Sequence, residues 1–178
     1  VKAVIAFDPP VLSSSLRAFL YLPGGTAFIK QRVPIIRNAG RRRAEFDSLE
    51  AAFTRYKGRG TFRGFSEQAL RDYLTGGLVE TDTGVRLACD PIWEQAIFAA
   101  HRQNLFHMAK ALPENSRIVF AGKDSPATAS VRAKMAKIIG PDQYIFKPDF
   151  FHLFPLQEPE FARSVLSDML KRASLMHD

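Results

Sequence analysis

The sequence predicts an α/β fold interrupted by a long, mainly helical insertion. Three observations carry this expectation: a short apolar run at residues 2–8, mostly helical patterning from about 12 to 112, and alternation of strand and helix signals over the last third. With 46% hydrophobic and 24% charged residues, the 178-residue composition excludes a disordered tail or a collagen-like repeat. That length suits one domain or a fragment of a larger one. No apolar run approaches the roughly 18–20 residues that a membrane span needs. The single cysteine, Cys89, cannot form an internal disulfide, so nothing points to an oxidising compartment and a cytoplasmic location is expected. Residue 1 is Val and no charged-then-apolar leader follows it. Either a leader was removed or the numbering begins inside a gene product.

Residues 2–8 read as a buried strand ended by Asp8, Pro9 and Pro10. A fully buried strand at the start of a chain implies neighbours on both sides, and no earlier strand supplies one of them. Helices are expected near 13–22, 26–38, 44–57 and 66–75, separated by Gly/Pro punctuation at 23–25, 40, 58–60 and 76–77. Ser66 suits the N-cap of the fourth, and Gly76 or Gly77 its end. Residues 78–89 suit a small hairpin turning at Asp82, Thr83 and Gly84. A long helix is expected from Pro91 to Leu112. Strands follow at 117–121 and 143–146, with a helix at 127–139 between them, a loop at 147–155, and a final helix from Glu158 to about Met176. Two strands joined by a helix in this way form a parallel unit.

The net charge of +7 has two readings. The run Arg41, Arg42, Arg43, followed by Arg55, Lys57, Arg59 and Arg63, is interleaved with Phe53, Tyr56, Phe62 and Phe65, as in single-strand nucleic-acid binders. However, Phe46, Leu49, Phe53 and Tyr56 fall at helical spacing, so a packed helix with a solvated basic edge explains the segment better. No nucleic-acid partner is expected.

In open α/β sheets, chemistry collects beyond the carboxyl ends of the strands. Asp124 follows the 117–121 strand, and His152 follows the 143–146 strand. An Asp accepting from a His Nδ1–H fixes the tautomer and leaves Nε2 as a base. Each residue also has a plain reading, Asp124 as a turn former before Ser125-Pro126 and His152 as an idle loop residue.

These segments resemble an α/β-hydrolase. Residues 117–126 look like the family's seventh strand and acid loop, 152–160 like its histidine loop, and 3–10 like its sixth strand and exit into the cap. Residues 65–73, Gly77-Leu78, 84–91 and Glu94 resemble the helical cap of esterase-like members. The resemblance implies the C-terminal part of an α/β-hydrolase fold: three parallel strands with flanking helices from 1–10 and 113–178, and a cap over 11–112 whose last helix returns to the core. It implies Asp124 and His152 as catalytic acid and base. The implied reaction is hydrolysis of an ester-like or other small acyl substrate, with no cofactor and no metal. Epoxide hydrolases and dehalogenases with an Asp nucleophile, or a non-catalytic ligand-binding member, remain alternatives.

The family carries its nucleophile in a Gly-x-Ser-x-Gly elbow, ahead of the acid and histidine in the chain. No such pentapeptide occurs here. Ser66 in its nearest approximation reads as a helix cap, and Cys89 as a buried apolar cysteine. The nucleophile is therefore expected on an N-terminal half outside this sequence, from the same gene product or a second chain. That half is one expected partner, a small apolar acyl substrate is another, and homo-oligomerisation is left open. Trp93, Tyr73 and Phe98 are candidates for an apolar acyl pocket, or equally for cap core. His101 and His107 are six residues apart on the expected 91–112 helix and do not share a face, so a surface role is favoured over a metal site. Asp149 is the rival to Asp124 for the acid.

Overall fold

The computed structural model describes residues 1–100 and 102–174. In chain order the elements are β1 (Ile5–Phe7), α1 (Ser14–Phe19), α2 (Gly25–Arg32), α3 (Pro34–Ala39), β2 (Glu45–Phe46), α4 (Leu49–Tyr56), α5 (Glu67–Gly77), β3 (Leu78–Thr81) and β4 (Gly84–Leu87). They continue with α6 (Pro91–Ala99), α7 (Leu105–Ala109), β5 (Arg117–Lys123), α8 (Ala129–Ile139), β6 (Tyr144–Phe151), α9 (Phe154–Gln157) and α10 (Pro159–Ser174). The chain divides into two compact units, residues 1–13 with 104–178, and residues 14–103.

The first unit is built on a parallel sheet in the order β1-β5-β6. Residues Arg117 to Ala121 of the central strand β5 are all buried, as a parallel strand covered on both faces must be. Its side chains alternate between two cores. Ile118 and Phe120 pack with Phe106 and Ala109 of α7 and with Val131, Met135 and Ile139 of α8. Val119 and Ala121 pack on the other face with Phe154 of α9 and Val165 of α10. The spacing of Val131, Met135 and Ile139 places them on one stripe of α8, which explains why that helix docks by that face. Thr128 caps its start by accepting from the Val131 N–H, and Gly140, at φ 76°, ends it in a conformation that suits glycine.

Within the unit of residues 14–103, β2, β4 and β3 form a small antiparallel sheet over a core of Phe46, Phe53, Phe62, Leu70, Leu74 and Leu87. The Asp82–Thr83 turn joins β3 to β4 as the sequence predicts. Ser66 Oγ accepts from the Ala69 N–H at 3.1 Å and caps α5. The aromatics between the basic residues serve this core, with the Phe62 ring in tilted or edge-on contact with those of Tyr56, Phe65 and Tyr73.

Several expected elements take a different form. The 26–38 helix is broken, because Pro34 cannot supply the backbone N–H that a continuous helix needs and instead opens α3. The 44–57 helix starts only at Leu49, where Ser48 caps it, and Glu45–Phe46 form a strand against β4. The 91–112 helix is two: α6 closes at Ala99, and α7 starts after Asn104, whose side chain accepts from the His107 N–H at 3.2 Å. This second piece packs with α8, so the first unit begins again at residue 104 rather than 113. Strand β6 runs on to Phe151 instead of stopping at 146. A register shift between Ala121 and Lys123 accommodates it. Gly122 allows this approach, since a Cβ there would lie 2.1 Å from the Pro148 carbonyl oxygen.

Candidate active site

His152 stands directly after β6, with its side chain 31% exposed. Its Nδ1–H donates to Asp8 Oδ2 at 2.6 Å. The acid facing the histidine is therefore Asp8, at the end of β1, and not Asp124. The expectation of an Asp124–His152 hydrogen bond is corrected on that point.

The local backbone explains why Asp8 takes this place. Arg117 N–H donates to Val4 O at 2.8 Å, and Asp8 N–H donates to Val119 O at 2.7 Å, as the β1–β5 ladder requires. Beyond Asp8, Pro9 and Pro10 take the chain away, and Ala121 N–H would face no ladder carbonyl. Asp8, at φ 44°, turns its side chain into that gap, so that Oδ1 accepts from Ala121 N–H at 3.1 Å and from the Ser125 hydroxyl at 2.8 Å. Asp is one of the few non-glycine residues that adopt this left-handed conformation readily. The carboxylate is fully buried and accepts three hydrogen bonds, two on one oxygen and the imidazole on the other. Burying a charge without such partners would be strongly unfavourable. Ser125 is itself fixed, since its Oγ accepts from the Ala127 N–H at 3.2 Å.

Asp124 lies one residue beyond β5, exposed, at φ 53°. Its neighbour Ser125, rather than Asp124 itself, turns inward to the acid. Asp124 thus follows the turn-former reading. Asp149 is also exposed and lies 3.8 Å from Lys123 Nζ. His152 Nε2 makes no hydrogen bond to a described residue, which leaves it available as a base.

Of the other candidates, Tyr73, Trp93, Phe98 and Cys89 belong to the unit of residues 14–103. Tyr73 belongs to the aromatic core of residues 14–103, where its ring is 4.9 Å from that of Phe62. Trp93 is exposed on α6 and Phe98, on the same helix, is half-buried. Cys89 is an exposed free thiol, not the buried cysteine expected, because it sits in the short link between β4 and the Asp90 cap of α6. His107 is exposed on α7 and His101 lies outside the described residues. Among the described residues no group of three or more His, Cys, Asp or Glu side chains could hold a metal ion, and no helix is long and apolar enough to cross a membrane.

Asp8 is the candidate site residue that the sequence pattern does not single out, although a signal for it exists. The strand-end rule that selects Asp124 and His152 applies equally to residue 8, which closes the 2–8 strand. There the Asp-Pro-Pro run reads as plain punctuation of the strand's exit, and the acid is hidden in it.

A parallel sheet covered on both faces, with an acid and a histidine meeting at its carboxyl edge, is the frame of an α/β-hydrolase fold. No family model and no curated protein matches the chain. Solved structures do match. The crystal structure of E-2-(acetamidomethylene)succinate hydrolase aligns at a TM-score of 0.67 and 18% identity, covering 96% of this chain and 58% of that one. The thioesterase domain from the curacin biosynthetic pathway aligns at 0.58 and 14% identity, covering 93% and 56%. The chain has the α/β-hydrolase fold and spans somewhat more than half the length of these neighbours.

Proposed function

We propose that this chain is the acid–base portion of a hydrolase that cleaves an ester-like or other small acyl substrate. The observation that carries the reading is the 2.6 Å contact between buried Asp8 and half-exposed His152 at the carboxyl ends of β1 and β6. In this scheme Asp8 holds the imidazole with its proton on Nδ1. His152 Nε2 takes the proton of a nucleophile as it attacks the acyl carbon, and Asp8 stabilises the imidazolium so formed. The imidazolium then protonates the leaving group, and water, activated by the same nitrogen, releases the acyl product. Two solved structures of the same fold, one named a hydrolase and one a thioesterase, accord with this chemistry.

The nucleophile itself is assigned to polypeptide outside residues 1–178. Three observations support that assignment. The sequence has no Gly-x-Ser-x-Gly elbow, and no described hydroxyl or thiol is hydrogen-bonded to His152 Nε2. Strand β1 pairs, among the described residues, with β5 alone, so one edge of backbone groups is open to a further strand. The test is turnover of short acyl esters by the chain joined to its nucleophile-bearing segment. Turnover that is lost with His152→Ala supports the reading, and full activity in that variant contradicts it.

A further inference from the structure

We propose that the unit of residues 14–103 carries a binding site for a small oxyanion, a carboxylate or phosphate group, formed by Lys30, Arg37 and Arg41. This goes beyond the hydrolase reading and does not depend on it. The three side chains line an open cleft of about 580 Å³, together with Ala27, Gln31 and Gln95. Lys30 comes from the last turn of α2 and Arg37 from the last turn of α3. Arg41 follows the end of α3, and Gln95 comes from α6.

Among the described residues the lining brings together three positive charges and two amides without a single acid. Elsewhere in the same unit, carboxylates face Arg42, Arg43, Lys57 and Arg71. Glu94, the acid next to Gln95 in sequence, is already committed, with both its oxygens 2.8 Å from Arg42 Nη1. Unpaired exposed arginines are common because water solvates them, but Arg37 differs. Its Nε is buried and has no hydrogen-bond partner among the described residues, an arrangement that leaves a charged donor unsatisfied. The ends of α2 and α3 favour cations through their carbonyl dipoles, which explains why basic residues sit there. Those dipoles place no acceptor on Arg37 Nε.

A guanidinium presents its donors in a planar fork that matches the oxygens of a carboxylate or phosphate, and Lys30 adds a point charge. One wall is already set, because Gln95 Nε2 donates to Ile36 O at 3.2 Å. Gly40 makes that possible, since a Cβ there would lie 2.5 Å from Gln95 Nε2. A nucleic acid is the less suitable occupant, because the aromatics between the basic residues of this unit are used in its core.

The test is a ¹H–¹⁵N NMR titration of the arginine Nε–H groups in the 178-residue chain. Malonate and inorganic phosphate are compared with sodium chloride at equal ionic strength, and a single-stranded oligonucleotide is added in a separate arm. The expected result is a saturable shift of the Arg37 Nε–H with malonate or phosphate and none with chloride. The tighter of the two anions distinguishes a carboxylate ligand from a phosphate one. Arg37→Ala, followed on the Arg41 Nε–H, should abolish saturation. Arg41→Gln, at an exposed position and followed on the Arg37 Nε–H, should weaken binding by about tenfold while leaving the fold intact. Equal responses to all three salts would mean screening alone and would overturn the site. So would saturable binding of the oligonucleotide with the small anions inert.

Discussion

Asp8 and His152 are 144 residues apart in the chain, yet Oδ2 of the first lies 2.6 Å from Nδ1 of the second. The strand order β1-β5-β6 brings their two strand ends to the same edge of the sheet, on either side of β5. Asp8 crosses the end of the central strand by leaving β1 in a left-handed turn and bonding to Ala121 on the way. The acid is thereby anchored to the most buried strand of the first unit.

If Asp8 orients His152 in the proposed hydrolase, substitutions in the chain joined to its nucleophile-bearing segment should separate it from its neighbours. Asp8→Asn presents the wrong partner to the imidazole, a change that costs on the order of 10⁴ in kcat in the serine-protease template. His152→Ala should reduce turnover to the residual rate that substrate binding supports without the base. The double variant should lose little more than His152→Ala alone, because the two act as one unit. Asp124→Asn and Asp149→Asn should each stay within about tenfold of the parent, or roughly 1.4 kcal/mol of barrier. Steady-state kinetics of the five variants checks the ordering.

Ser125 holds the acid from the side opposite the histidine, with its Oγ 2.8 Å from Asp8 Oδ1. Hydrogen bonds to charged groups contribute about 1.5–3 kcal/mol, so Ser125→Ala should lower stability by roughly that amount. Urea unfolding of the 178-residue chain measures it. A loss no larger than for an exposed serine such as Ser130 would show that the bond does not help to hold Asp8.

Two glycines should behave in opposite ways. Gly122→Ala drives a Cβ into the Pro148 carbonyl at 2.1 Å, so β5 and β6 must separate at the base of the histidine loop. Overpacking of this kind costs about 1–3 kcal/mol, and here it should also displace His152. At Gly76, within α5, an added methyl would meet nothing within 4 Å. Gly76→Ala should stabilise the protein by about 0.5–1 kcal/mol. Thermal melts of the two variants decide both.

Much of the α/β frame is legible in the sequence because its causes are local. The strand at 117–121 with its apolar residues 118–121, the helix at 127–139 and the Ser66 cap all announce themselves within a few residues. Boundaries shift where tertiary contacts compete. Glu45 and Phe46 sit in a helical pattern but find a strand partner in β4, and β6 extends because Gly122 lets it approach. Of the site, His152 is visible as a strand-end histidine. Asp8 is not singled out, because its role depends on an orphaned N–H of Ala121 that appears only once β1 is set beside β5.

The pairing of Asp8 with His152 is tested most directly by the ring ¹⁵N chemical shifts of His152 in the 178-residue chain. These should be recorded at a pH where the imidazole is neutral, because the shifts then report which nitrogen carries the proton. The account predicts the proton on Nδ1 in the parent and in Asp124→Asn, and its transfer to Nε2 in Asp8→Asn, where the amide can donate to Nδ1 instead. A proton on Nε2 in the parent would contradict the account. So would a tautomer that changes with Asp124→Asn and ignores Asp8→Asn.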